Sequence, residues 1–531
     1  MTTSSAPRQS HAVLVAAGIL ASRLVGFVRQ RTMNHFFGGH SEAADAFYAA
    51  FKIPNLLQNL FGEGALSGSF IPVYSRLLAD GKEKEAAATA RAVLGVLTLL
   101  VGTLVALGVT ITPAIISIIA PGFEGEKRAL TIWLVRILFP GSGILVISAW
   151  CLGVLNSHRR FFLSYSAPVI WNLCIIGALF IGAEGSESHL AVIAAWGAVV
   201  GGFAQVLVQL PAVRTILPSI RPTLTLGSEH VRTVCRHFIP TTAVRGVAQV
   251  SAYIDQMIAS LLPTGAITGL TNAQLIYTLP VSLFGMSIAA SELPELSRIP
   301  EGATNAIERR LIAGFRHLSF TVIPTIVAFL LIGDTIVGAI YQTGAFSAHD
   351  VHYVWAILCG SAIGLLAGTQ GRLLSSTLYA LQDPRTPLRC AAIRVVIVSS
   401  TGLLCALEGP RILGIAPLWG AVGLSGASGC AGWVEFLLLR SHLSKHRGIA
   451  PRVEPKFLVT ITVSALLSGG TCYALKGVCS ALHPIIAAAV ILPLFGGLYL
   501  AITLVLKLPE ASVSLTRVTN LFSRVLRRRS N

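Results

Sequence analysis

Ser69-Phe-Ile-Pro-Val-Tyr-Ser-Arg76 and Ser291-Glu-Leu-Pro-Glu-Leu-Ser-Arg298 share the pattern S-x-[IL]-P-x-x-S-R at an offset of 222 residues. The same offset carries Arg23 onto Arg245. A looser match pairs Leu152-Gly-Val-Leu-Asn156 with Leu378-Tyr-Ala-Leu-Gln382 at an offset of 226. Any one short match has little weight; three in order at nearly one offset mark two homologous halves.

What is repeated becomes clear from composition. Of the 531 residues 53% are hydrophobic and only 12% charged, and the mean hydropathy is +0.73. A soluble chain carries about 25% charged residues, so the polar side chains needed to cover three or four soluble domains are missing. Fifty Gly and 25 Pro are scattered without period, which excludes a fibrous repeat. An all-α integral membrane protein is the class that remains.

Apolar stretches long enough to cross about 30 Å of hydrocarbon fall near 11–30, 44–76, 90–110, 129–155, 164–183, 189–213 and 230–262. Seven more fall near 268–292, 311–340, 350–379, 388–407, 412–440, 457–476 and 482–506, so about fourteen transmembrane helices are expected. The stretch 44–76 is long enough to be broken or re-entrant. Each half of the repeat takes six helices, an even number, so the halves share one orientation and are related by an axis along the membrane normal. This is transporter architecture, with the binding site expected near mid-membrane where the halves meet. The predicted division is 1–213 and 214–440 for two pseudo-symmetric six-helix lobes, then 441–531 for two further helices and a basic tail.

Charge fixes the orientation. The net charge is +17, from 40 Lys+Arg against 23 Asp+Glu. With the N-terminus in the cytoplasm, 28 of the 40 fall in cytoplasmic segments and four, Lys127, Arg128, Arg411 and Lys476, in the opposite loops. That is the positive-inside pattern, with both termini cytoplasmic. Most of the excess is therefore a topology signal and not a nucleic-acid surface. The terminal Arg524, Arg527, Arg528 and Arg529 suit anionic headgroups or a solvated tail equally. The first 22 residues imitate a secretory signal, yet the apolar pattern runs on through Leu24-Val-Gly-Phe27, and the later loop charges fit only if this helix is retained.

Eight basic residues remain inside or at the ends of spans: Arg23, Arg29, Arg31, Lys52, Arg136, Arg245, Arg372 and Arg394. A charge at the bilayer centre costs several kcal/mol unless it faces a cavity or a partner. Arg31, Arg136, Arg372 and Arg394 lie where they can snorkel from helix ends. Arg23, Arg29, Lys52 and Arg245 form the group expected to line an anion-binding cavity, because arginine meets phosphate with a planar fork. The competing reading for these four is internal pairing with Asp45 or Glu63. Gly62-Glu63-Gly64, between Pro54 and Pro72, is the expected flexible or unwound point and a candidate gate. Asp255 is a candidate cation site or a buried structural acid. Tryptophan and tyrosine are too dispersed to outline a site, and nine scattered cysteines lack metal or disulfide spacing. No HExxH, GxSxG, Walker or GxGxxG context supports catalysis or a metal.

Three stretches carry a resemblance. Ala21-Ser-Arg-Leu-Val-Gly-Phe-Val-Arg29 precedes Ala44-Asp-Ala-Phe-Tyr-Ala-Ala-Phe-Lys-Ile-Pro-Asn-Leu-Leu57, and Phe61-Gly-Glu-Gly-Ala-Leu-Ser-Gly-Ser-Phe-Ile-Pro72 follows. Together they resemble the MurJ (MviN) family of bacterial lipid II flippases. Leu279-Pro-Val-Ser-Leu-Phe-Gly285, Ile340-Tyr-Gln-Thr-Gly-Ala-Phe346 and Tyr379-Ala-Leu-Gln-Asp-Pro-Arg-Thr-Pro387 extend the likeness, which runs from residue 11 to about 440.

The resemblance implies the multidrug/oligosaccharidyl-lipid/polysaccharide exporter fold, with a groove between helices 13 and 14 for a polyprenyl tail. It implies lipid II, an undecaprenyl pyrophosphate bearing a disaccharide-pentapeptide, as substrate, moved to the outer leaflet of the bacterial plasma (inner) membrane for peptidoglycan synthesis. Arg23, Arg29, Asp45, Lys52 and Glu63 match positions where the family carries functional charges. Gln58-Asn59 stand where many members have arginine, Leu275 where there is a cavity arginine, and Gln30 where many have Asp. Some members join an Asp of helix 7 to side chains of helices 11 and 12 in a sodium site; Asp255 meets the first condition, while 393–407 contains no Asn or Asp.

The reading is an alternating-access flippase without cofactor, driven by the membrane potential or a cation, with cell-wall synthesis proteins as its protein partners. An exporter of another polyprenyl-linked glycan and a non-transporting scaffold of cell-wall synthesis are the alternatives. An exporter of cationic drugs calls for an acidic cavity, whereas these charges are basic.

Overall fold

The computed structural model describes residues 6–513 and 515, except 218, 226, 301–302 and 480. The side chains of Glu63 and Arg245, and the terminal arginine cluster, lie outside the described residues. All regular structure among the described residues is helical.

The chain forms two compact units. The first spans 1–268 with 343–346. It holds α1 (Ala6–Phe37), α2 (Glu42–Phe61), α3 (Glu63–Ala79), α4 (Glu83–Thr110), α5 (Thr112–Ile119), α6 (Gly125–Ser157), α7 (Phe161–Ile181), α8 (Glu187–Ile216) and α9 (Glu229–Ser260). The second spans 269–342 and 347–531, and the boundary falls inside α10 (Ala266–Pro280). It continues with α11 (Ser287–Ser297), α12 (Thr304–Tyr341), α13 (Ala348–Ala362), α14 (Leu365–Ala380), α15 (Arg385–Leu413), α16 (Gly420–Arg447), α17 (Pro455–Cys479) and α18 (Pro484–Val505).

Among the described residues ten helical stretches, one of them α10 running on into α11, are long and apolar enough to cross a membrane, or eleven when α13 and α14, bent by 43°, count as one span. The protein is an all-α, multi-pass membrane protein. Of the fourteen expected from hydropathy, ten or eleven are accounted for among the described residues. α1, α2, α3 and α9 are outside the count, and they carry Arg23, Arg29, Lys52, Glu63, Arg245 and Asp255. Within α2, Asp45, Lys52, Asn55, Gln58 and Asn59 depress an otherwise apolar helix.

The long stretch 44–76 is broken at Gly62. Its N–H still donates to the Gln58 carbonyl at 2.8 Å, but its ψ of −141° leaves the helix and α3 starts afresh at Glu63. A Cβ on Gly62 would lie 2.2 Å from the Gln58 oxygen, so only glycine fits this break. Both repeat copies end helices with a proline inside, Pro72 in α3 and Pro294 in α11.

Lipid removes the ordinary hydrophobic drive between helices, so close packing takes its place. The first unit packs Phe70, Tyr74, Trp150 and Leu155 into one cluster from α3, α4 and α6. The second packs Phe315, Leu374 and Leu439 in one cluster and Phe320, Ile461 and Phe495 in another, the latter joining α12, α17 and α18.

Candidate functional site

The α1–α2 pair of the first unit is fixed by polar contacts as well as packing. Ser41 caps α2 by accepting from the Ala44 N–H at 3.1 Å. Gln30 donates its side-chain amide to the Tyr48 hydroxyl at 2.7 Å, and that hydroxyl lies 3.5 Å from Asn34 Oδ1. Gln30 is thus a buried donor between helices, a role that a carboxylate at this position could not fill.

One residue away, Arg29 turns to a different surface. Phe47, Phe51 and Asn55 follow one another at i, i+4 along α2 and share a face. The Phe47 and Phe51 rings stack at 5.5 Å, and Phe51 stacks in turn on Trp171 of α7 at 5.5 Å and 26°. The Arg29 guanidinium carbon lies 5.4 Å from the centroids of both Phe51 and Trp171. Such a cation–π contact is worth about 0.5–2 kcal/mol, more when desolvated. Among the described residues no carboxylate forms a salt bridge with Arg29. A cleft lined by Phe51, Asn55, Ser142 and Trp171 adjoins the stack.

Lys52, on the next face of α2, reaches α9. Its ammonium donates to the Ala252 carbonyl at 2.7 Å and lies 5.9 Å from the Tyr253 ring, whose hydroxyl donates to the Lys52 carbonyl at 3.0 Å. Asp255 follows Ala252 by three residues, on the same side of α9.

Asp45 has another employment. It is 1% exposed, and both oxygens are occupied. Oδ1 accepts from the Thr268 N–H at 2.9 Å and the Thr268 hydroxyl at 2.7 Å. Oδ2 accepts from the Gly265 N–H at 2.9 Å and from Lys127 Nζ at 3.0 Å. The pairing considered for the cationic group from sequence therefore does not run through Asp45, whose ion-pair partner is Lys127.

Of the remaining predicted residues, Arg23 is exposed on α1. Gly62 is the helix break itself and Gly64 stands in the first turn of α3. The Glu63 and Arg245 side chains lie outside the described residues. Arg136 reaches the Val109 carbonyl at 3.3 Å, Arg372 is exposed, and Arg394 pairs with Glu435 at 3.2 Å between α15 and α16. Lys52 and Asp45 thus lie on α2, and Arg29 of α1 meets the same helix through Phe51. Trp171 is the site residue that sequence reasoning missed. It was dismissed as one of several dispersed aromatics, and nothing in its local sequence points to α2.

The described residues form a polytopic α-helical membrane fold that keeps basic side chains within its helices, and solved structures agree on the fold. The chain is similar to a structure described as lipid II flippase MurJ in an inward closed conformation, with a TM-score of 0.73, 23% identity, and coverage of 93% of this chain and 98% of that one. It is also similar to an inward-facing multidrug resistance MATE family transporter of the MOP superfamily, with a TM-score of 0.64, 14% identity, and coverage of 82% and 99%.

Sequence narrows the class to a family. The family described as lipid II flippase MurJ matches residues 33–492. A probable lipid II flippase MurJ of Rhizobium tropici is 32% identical over 476 residues, 86% of this chain and 85% of that one. A lipid II flippase MurJ of Burkholderia cenocepacia is 30% identical over 473 residues, 86% and 88% of the two chains. The chain belongs to the lipid II flippase MurJ family.

Proposed function

We propose that this protein moves lipid II from the cytoplasmic to the outer leaflet of the bacterial inner membrane by alternating access, with both termini in the cytoplasm. Arg23, Arg29, Lys52 and Arg245 hold the pyrophosphate. The helix break at Gly62–Gly64 is the place that bends as access alternates. Asp255 is the group through which a cation couples to transport, with the membrane potential as the other source of drive.

The observation that carries this reading is the state of Arg29. Its charge is kept inside the helices of the first unit on aromatic faces, which attract a cation without cancelling it. A pyrophosphate needs an un-neutralised fork of N–H donors, and binding it there offsets the penalty of taking a charged headgroup through low dielectric. The names borne by the relatives specify the lipid-linked substrate that supplies such a group.

A leaflet-accessibility assay for lipid II after rapid depletion of the protein tests the proposal. Outer-leaflet lipid II should stop appearing while the cytoplasmic pool grows. Unchanged appearance in the outer leaflet defeats the reading.

A further inference from the structure

Trp171 is held more firmly than an aromatic in contact with lipid needs to be. Its indole N–H donates to the Ala198 carbonyl of α8 at 3.0 Å. α7 and α8 can come so close because of Gly201, where a Cβ would lie 2.8 Å from the Trp171 carbonyl oxygen and 3.0 Å from its ring. The indole is therefore fixed from behind by α8, while its face meets Phe51 of α2 and the Arg29 guanidinium of α1. Four helices are committed to the placement of one ring.

We infer that Trp171, with Phe51, is a positioning residue for Arg29, holding its guanidinium charged and aimed so that its donors stay open to the pyrophosphate of a lipid-linked substrate. This inference rests on the function proposed above and adds specificity to it. Ring faces carry negative potential but offer no lone pairs at the guanidinium edge, so they orient arginine without occupying its N–H fork. A carboxylate in the same place would take two of those donors and cancel the charge. Lysine could rest on the same rings, but it lacks the planar fork that matches two phosphate oxygens.

The test is a titration of the full-length protein in lipid nanodiscs with undecaprenyl pyrophosphate. It compares the wild type with Trp171→Phe, Trp171→Leu, Arg29→Ala and the Arg29→Ala/Trp171→Leu double variant. Trp171→Leu should weaken binding about tenfold, as expected for loss of a desolvated cation–π contact. Trp171→Phe, which keeps a ring face, should stay within about threefold. The double variant should bind no more weakly than Arg29→Ala alone, since a residue acting through Arg29 has nothing left to position.

Wild-type affinity in Trp171→Leu overturns the inference. So does a Trp171→Leu loss that adds in full to that of Arg29→Ala, the mark of a packing role. Should Trp171→Leu not reach the membrane, Phe51→Leu replaces it with the same two outcomes. Failure of the wild type itself to bind the pyrophosphate lipid defeats the proposed function; wild-type binding left untouched in Trp171→Leu defeats only the positioning role.

Discussion

Arg29 and Asp45 stand 16 residues apart in one motif, both charged and both inside helices, and the fold treats them in opposite ways. Asp45 is enclosed by four donors from Lys127, Gly265 and Thr268. Arg29 is surrounded by aromatic faces and no carboxylate among the described residues. The first arrangement spends the charge on holding segments together. The second preserves it. The second unit shows the spent kind again, with Arg394 paired to Glu435 at 3.2 Å and Lys476 to Asp334 beside Trp355. The chemistry of the partner, and not the presence of a charge in a span, separates a structural ion from one available to a ligand.

The most drastic way to break this comparison is at Arg29. Arg29→Ala should abolish complementation of a flippase-depleted strain while the protein still reaches the membrane, with only the modest loss of stability that two cation–π contacts carry. Normal growth would remove Arg29 from the site.

Asp45→Asn should do the reverse. It strands Lys127 beside a neutral amide, and breaking one side of a buried pair costs about 3 kcal/mol. Thermal unfolding in detergent should show that loss, and Asp45→Asn/Lys127→Met should recover part of it. An Asp45→Asn protein as stable as wild type but unable to transport would reverse the assignment.

Gly62→Ala is expected to be milder, at about 1–3 kcal/mol, because the added methyl meets the Gln58 oxygen and the break must reshape. Unfolding of this variant against Gly68→Ala, also in α3, is the appropriate measurement. Equal stability of the two would mean that the break relaxes freely.

The smallest effect concerns a charge outside the spans. Asp383 accepts from the Thr386 hydroxyl at 2.7 Å and its N–H at 3.2 Å, at the start of α15. The hydroxyl first, with backbone amides and nearby His442, holds its carboxyl below the usual carboxylate range. A depressed folded value means that the contribution to stability is complete above the unfolded pKa of about 4 and fades as the pH falls through the lower folded value. Thr386→Val removes the main cause, so the acid-side fall in unfolding temperature between pH 5 and pH 3 should shrink relative to wild type. An unchanged acid profile would show that the hydroxyl is immaterial there.

The membrane class and most of the helices were legible because hydropathy is a local property and lipid imposes it residue by residue. The break at Gly62 was legible for a similar reason: two glycines flank a glutamate inside an apolar run. The partners of the charges were not legible. Asp45 finds its donors 82, 220 and 223 positions away. Trp171 meets Arg29 through a helix that shares no local pattern with α1. Sequence could show that Arg29 and Asp45 needed an explanation, but only the long-range packing distinguishes their two roles.

The interruption between α2 and α3 also bears on water. A helix that stops inside a membrane leaves its last carbonyls without the donors of a following turn, and hydrocarbon can supply none. Near this break the Leu60 carbonyl already lies 3.5 Å from the Thr242 hydroxyl of α9. Groups of this kind persist only where protein or solvent reaches them. Amide hydrogen exchange at Glu63 and Gly64 would tell which of the two serves this break.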